Sequence, residues 1–172
     1  MRINFAAGKQ TWDGFYCIDA VQHPKATRAL DLCHAFEFDK EGALLNPVPL
    51  SDGSAEEVHS YHFVEHVHAW QAPAVIAEFR RLLKPGGLLV LECPNLELAA
   101  KNLLAGLPQN MWMFPFYGDP GHKDPFMCHK FGYTPSSLEA LVRSAGFGSV
   151  KHRAPVTHGA RVNRDMRLEA RK

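Results

Sequence analysis

The stretch "VIAEFRRLLKPGGLLVLECPN", residues 75–95, limits the fold more than any other part of the chain. Val75, Ile76, Phe79, Leu82 and Leu83 recur at the spacing of one helical face, which predicts an amphipathic helix within residues 72–87. Pro73 suits its first turn, and Pro85-Gly86-Gly87 stops it. "LLVLEC" (88–93) follows at once and is apolar without alternation. Such a strand is shielded on both faces, as in a parallel sheet carrying helices. A helix running directly into it argues for an α/β fold with a mainly parallel sheet.

Other segments agree with that architecture. "RINF" (2–5) and "FYCID" (15–19) predict two short strands, and "TRALDL" (27–32) a third. "HAFEFDKEGALL" (34–45) alternates and turns at Asp39–Gly42, predicting a hairpin or an irregular insert. After a turn at Ser51–Ser54, a strand is centred on Val58–Tyr61. A second helix is expected over 96–104, and residues 106–130, rich in Pro, Gly and aromatics, read as irregular. In "TPSSLEALVRSAGF", Thr134 caps a helix, Pro135 opens it, Leu138, Leu141 and Val142 line one face, and Gly146 ends it. Val162, Met166, Leu168 and Ala170 alternate with polar residues, the period of a half-exposed antiparallel strand. With no internal repeat or linker, residues 1–172 are expected to form a single domain.

Charge and cysteine content narrow the partners. The net charge is +1, which gives no global field favouring nucleic acid or membrane. Residues 151–172 carry seven Lys/Arg against two Asp/Glu. This basic end reads either as an anion-facing patch or, more ordinarily, as a solvated strand face. Cys17, Cys33, Cys93 and Cys128 are scattered and form no C-x-x-C pair, which fits free thiols in the reducing cytoplasm. The chain has no charged-then-apolar leader and no apolar run near 18 residues, so neither secretion nor membrane spanning is expected.

In α/β sheets, ligands bind at the carboxyl ends of the strands. "INFAAGKQTWDGFYCIDA" places small residues Ala6, Ala7 and Gly8 after one strand and Asp19 at the end of the next. Small residues let a backbone approach a ligand closely, and an acid there can accept hydrogen bonds from both ribose hydroxyls. No G-x-G-x-x-G is present, and Asp19 follows Gly8 by only 11 residues where a dinucleotide fold expects about 20. The spacing disfavours NAD and FAD and suits a nucleoside without phosphates. The other reading is a tight turn beside a surface carboxylate. The connection from Phe5 to Phe15 is also shorter than the dozen or more residues usual for a parallel crossover, so a compressed turn must replace the helix.

These residues carry a resemblance. "INFAAGKQTWDGFYCID", "PLSDGSAEEVHSYHFVEHV", "EFRRLLKPGGLLVLECPNLE" and "GDPGHKDPFMCHKFGYTPSSLEALVRSAGF" resemble, in order, the glycine loop and ribose acid, the fourth-strand segment, the helix–turn–fifth strand, and the acceptor-side loop with last helix of compact class I S-adenosylmethionine-dependent methyltransferases of bacteria and their phages. The likeness covers most of the chain. It implies a Rossmann-like, mostly parallel sheet flanked by helices, with an antiparallel C-terminal strand and a shortened N-terminal helical part. The family usually has a second glycine ahead of Gly8, where this chain has Ala6 and Ala7. By resemblance, Ala6, Ala7 and Gly8 pass under the methionine portion of S-adenosylmethionine. Asp19 and Ala20 meet the ribose, and Asp31, Leu32, Cys33, Tyr61, His62 and Phe63 border the adenosine.

"YHFVEHVHAW" (61–70) also contains His62-x-x-Glu65-His66, the letters of an inverted zinc-protease motif. A zinc pair would need His62 and His66 one helical turn apart, whereas this stretch lies where a strand becomes a loop. No metal is therefore expected, and Glu65 and His66 either brace the loop or face the pocket. His62, His122 and His129 are the catalytic candidates, since a neutral imidazole can take a proton from a methyl acceptor. Capping or packing the loop is the equal alternative reading. Trp112, Phe114, Phe116 and Tyr117 read as core more readily than as pocket wall. The function expected is methyl transfer from S-adenosylmethionine to a small-molecule or glycan acceptor, with no nucleic-acid signal, no membrane partner and no fixed oligomeric state. The alternatives are a degenerate S-adenosylmethionine-binding module and a metal-dependent hydrolase.

Overall fold

The computed structural model describes every residue except Gln10, His158 and Ala160. Strands β1 (Arg2–Phe5), β2 (Tyr16–Asp19), β3 (Leu32–Cys33), β4 (Ala55–Tyr61), β5 (Leu83–Pro94), β6 (Ser149–Arg153) and β7 (Asp165–Arg171) form one sheet in the order β3-β2-β1-β4-β5-β7-β6. β1 to β5 pair in parallel, and β7 runs antiparallel to both β5 and β6. The helices are α1 (Ala72–Leu82), α2 (Leu96–Leu104), α3 (Met113–Tyr117) and α4 (Pro135–Ser144).

One face of the sheet carries the core. α1 buries Val75, Ile76, Phe79 and Leu82, and α4 buries Leu138 and Val142. These side chains join Ile3, Phe5, Val58, Leu89, Leu91 and Leu168 in one cluster. Each fully buried side chain of this kind contributes about 1.5–3 kcal/mol. Thr134 caps α4 by accepting from the Ser137 N–H, as the sequence predicts.

The opposite face is polar. Asn4, His59, Tyr61, Glu92 and Arg167 follow one another across the pairing registers of β1, β4, β5 and β7. No helix joins β1 to β2 or β2 to β3 among the described residues. The ten-residue connection from Ala6 to Phe15 instead turns aromatic side chains onto that face. The Trp12 ring lies 4.9 Å from that of Tyr61, the Phe15 ring 5.0 Å from His59, and the Arg2 guanidinium 4.5 Å above Phe15. Two aromatic residues cover what a crossover helix would otherwise cover, which is how so short a segment joins parallel strands.

Several expectations need correction in detail. Of "TRALDL", only Leu32 is strand, continued by Cys33. The remainder is fastened by Arg28, whose guanidinium donates to the carbonyls of Trp12 and Phe15 and pairs with Asp31 at 3.1 Å. Strand β6 has no sequence signature, because it is an edge strand on which Val150 alone packs against the core, so no alternation shows. Val162 lies outside β7 and is exposed. α3 interrupts the stretch read as irregular. It packs chiefly on α2, so Trp112, Phe114 and Phe116 are half-buried, Tyr117 is exposed, and none of the four belongs to the core. Three of the seven basic C-terminal residues pair with carboxylates: Arg164 with Asp165, Arg167 with Glu92 and Glu169, and Arg153 with Glu169. No described helix is long and apolar enough to cross a membrane.

Candidate cofactor and acceptor site

The carboxyl tips of β1 and β2 meet through one carboxylate. Asp19 Oδ2 accepts the Gly8 N–H at 2.7 Å, and Oδ1 accepts the Ala20 N–H at 2.6 Å. An ionised carboxylate offers about four lone-pair sites, so about two remain for a ligand. Gly8 has φ +53°, and a Cβ built there would meet nothing within 4 Å, so the space beside it is open. Cys33 pairs with Asp19 across the β2–β3 ladder, and the His34 N–H donates to the Asp19 carbonyl at 2.8 Å. The fold thus gathers Ala6, Ala7, Gly8, Asp19, Ala20 and Cys33 at one end of the sheet. A half-exposed carboxylate beside a glycine with open space suits a sugar with vicinal hydroxyls, so these residues fit the nucleoside part of S-adenosylmethionine.

The other cofactor candidates stand differently. Asp31 precedes β3 and so lies at its amino end. Its carboxylate accepts the Cys17 N–H at 2.7 Å and pairs with Arg28. That backbone hydrogen bond, helped by Arg28 against the cost of burial, holds its pKa below the usual carboxylate value. Leu32 packs against the core. Tyr61 turns to the polar face, where its hydroxyl meets His59 Nδ1 at 2.8 Å and burial pushes its pKa up to about 12. Phe63 packs on Phe5 with ring centroids 5.6 Å apart. Neither of two surface depressions, of about 480 Å3 beside Pro47–Asp52 and Arg81 and about 270 Å3 between Asn95 and Arg167, includes Asp19 or Gly8.

Ala6 adopts φ +56°, a left-handed conformation that favours glycine. That conformation costs an L-residue about 1–2 kcal/mol, while glycine's greater freedom when unfolded costs about 0.4–1 kcal/mol. Ala6→Gly is therefore expected to stabilise the fold by about 0.5–1 kcal/mol. A urea midpoint that falls in the variant would show that the loop is not strained at this residue.

The histidine-rich stretch after β4 divides into two groups. His62, also left-handed at φ +52°, ends the strand, and a 3-10 turn spans Val64–His66. His62 Nδ1 lies 3.2 Å from Glu65 Oε1, and its Nε2 lies 3.6 Å from Asp165 Oδ2. Burial alone would push the imidazole down. The hydrogen bond to Glu65 and the charges of Glu65 and Asp165 outweigh it and hold His62 above its ordinary value. Burial likewise works against ionised Glu65, but His62 and the neighbouring imidazoles bring it below the usual carboxylate value. The two side chains thus form a buried hydrogen-bonded pair that fixes the turn. His66 also reaches the loop of residues 117–131, with Nδ1 3.2 Å from the Cys128 carbonyl. The helical His62–His66 pair of a zinc protease is not formed.

His129 is half-buried, its ring 4.9 Å from that of His66 and its Nδ1 2.9 Å from the Pro115 carbonyl. Burial holds it below the ordinary histidine range despite the Glu65 charge. The Glu65 carbonyl accepts the N–H groups of Lys130 and Phe131 at 2.7 and 3.2 Å, tying this loop to the turn after β4. His122 sits exposed on a separate 3-10 turn, Pro120–His122. Sequence reasoning missed Asp165, which lies 103 positions beyond His62, and the approach of His129 to His66. No local pattern could have revealed either.

The strand order, with a single reversed strand inserted next to the edge, is that of the Rossmann-like class I methyltransferase fold. The chain belongs to the family described as methyltransferase domain, whose model matches residues 7–152; S-adenosylmethionine is the cofactor of this class. A S-adenosylmethionine-dependent methyltransferase from Methanosarcina mazei is similar in fold, with a TM-score of 0.58, 15% identity, and coverage of 99% of this chain and 91% of that one. A chain of the Haloferax volcanii complex between the Trm112 methyltransferase activator and a methyltransferase has a TM-score of 0.57 at 12% identity, covering 98% of this chain and 80% of that one. An Archaeoglobus fulgidus S-adenosylmethionine-dependent methyltransferase matches at 20% identity with a TM-score of 0.47 over 72% of this chain, which spans 62% of that protein's length. At these identities the first two likenesses speak for the fold alone. Comparison with curated proteins finds no match.

Proposed function

We propose that the chain transfers a methyl group from S-adenosylmethionine to a small-molecule or glycan acceptor. The observation that carries this reading is the Asp19 carboxylate, fixed by the Gly8 and Ala20 N–H groups and keeping lone pairs for a ribose beside open space at Gly8. S-adenosylmethionine supplies a methyl group on a sulfonium centre. Asp19 grips the ribose, Ala6–Gly8 offer a small-side-chain floor for the methionine part, and Cys33 and Phe63 border the adenosine. Tyr61 acts from the other face by supporting β4. The acceptor meets the loop of residues 117–131. There the exposed His122 can take the acceptor proton, while His62 and His129 position the loop. Free thiols at Cys17, Cys33, Cys93 and Cys128 support a cytoplasmic location.

The test is formation of S-adenosylhomocysteine with acceptor panels of small molecules and glycans, read by mass spectrometry of the methylated product. Acceptor-dependent turnover is expected. The absence of a helix between β1 and β2 among the described residues and the strained Ala6 favour a second reading, a binding module without turnover. Tight binding of S-adenosylmethionine with no product across the panel would favour that module.

A further inference from the structure

The second histidine group has the makings of a metal site. One ligand atom from each of Glu65, His66 and His129 lies within 4.8 Å of the others. The two imidazoles are held in a consistent way. Nδ1 of His66 faces the Cys128 carbonyl and Nδ1 of His129 faces the Pro115 carbonyl. A carbonyl only accepts, so in each neutral ring Nδ1 carries the proton and Nε2 carries the lone pair. Backbone carbonyls on the far nitrogen are the usual supports of metal-ligating histidines. Glu65 is 2% exposed. Its Oε1 is engaged by His62, while its Oε2 is buried with no hydrogen-bond partner among the described residues. An unpartnered buried carboxylate oxygen is costly unless something meets it.

We propose that Glu65, His66 and His129 bind a divalent transition-metal ion of the zinc type. Two imidazoles and one carboxylate suit zinc and its first-row neighbours, and three protein ligands leave a coordination position open. Metal–ligand bonds of about 2.0–2.2 Å require the three groups to close by roughly 1 Å, within reach of side-chain rotation. His62 then serves as an outer support that orients the Glu65 carboxylate. The ion links the loop at His129 to the turn after β4, in parallel with the backbone hydrogen bonds from Lys130 and Phe131 to Glu65. The motif letters H-x-x-E-H thus contribute Glu65 and His66, with the second imidazole arriving from a loop 63 positions on. This inference does not rest on the methyl-transfer reading.

The experiment is calorimetric titration of the metal-stripped full chain with Zn2+, then with Mg2+, followed by Co2+ substitution read by visible absorption. One equivalent of Zn2+ is expected to bind, Mg2+ is expected not to compete, and Co2+ is expected to show the intense visible bands of a low-coordinate site. His129→Ala and Glu65→Gln should each weaken Zn2+ by more than the roughly 10–100-fold that losing an outer support costs. His23→Ala, a half-buried histidine elsewhere, should leave the affinity unchanged. Failure of the unmodified chain to bind one equivalent of Zn2+ overturns the proposal without any variant. So does binding that folded His129→Ala and Glu65→Gln both retain at full strength.

Discussion

Replacing Glu92 with alanine is expected to destabilise the fold by about 3–5 kcal/mol at neutral pH. Glu92 is 1% exposed and lies on the polar face of β5. Its carboxylate accepts the N–H groups of Val156 and Thr157 at 2.8 and 3.0 Å and the Thr157 hydroxyl, and pairs with Arg167 at 3.1 Å. Alanine would leave two backbone donors and a largely buried guanidinium without this acceptor. Arg167 keeps Glu169 at 2.8 Å, which argues for the lower end of the range. The effect has a pH signature. Burial raises the Glu92 pKa, but the bonds from Thr157, Val156 and Arg167 outweigh it, so the folded value lies below the reference of 4.5. A lowered folded pKa means the stabilisation is complete above about 4.5 and fades as pH falls through the folded value. The stability gap between the two proteins should therefore be largest near neutrality and shrink in acid. A denaturation midpoint that is unchanged at pH 7 would remove this network from the account of the second sheet face.

Asp19→Ala should weaken S-adenosylmethionine binding by about 1.5–3 kcal/mol, the range for hydrogen bonds to a charged group, or roughly ten- to 150-fold in Kd. Alanine also releases the Gly8 N–H, so some of the loss comes from a looser β1 loop. Asp19→Asn separates the two contributions, because the amide oxygen can still accept from Gly8 while the charge is gone. An intermediate loss is expected for Asn. Unchanged affinity in both variants would take Asp19 out of the site.

The sequence made the frame legible wherever a local physical rule decided the outcome. The apolar stripe of α1 and its Pro85-Gly86-Gly87 stop, the Thr134 cap, and the unalternating β5 each depend only on neighbours within a few residues. Asp19 was legible because chain direction places the end of β2 beside the end of β1 in any parallel pair. Asp31 was misplaced because, of the run 27–32 read as a strand, only Leu32 is strand, so the acid precedes β3 and lies at its amino end. His62 with Asp165, and His66 with His129, are joined only by topology. The first pair depends on β7 lying next to β5, and the second on a loop folding back over the turn after β4. The cover of the polar face by Trp12 and Phe15 was also hidden, since a missing helix leaves no pattern that says what replaces it.

The central claim is spatial: a nucleoside seats at the tips of β1 and β2. The most direct test is to titrate isotope-labelled protein with S-adenosylmethionine and follow the backbone amides by NMR. Shifts confined to Ala7, Gly8, Asp19, Ala20, Cys33 and His34 are predicted, saturating with one affinity. Saturable shifts that leave Gly8 and Ala20 still, or no shifts at millimolar ligand, would contradict it.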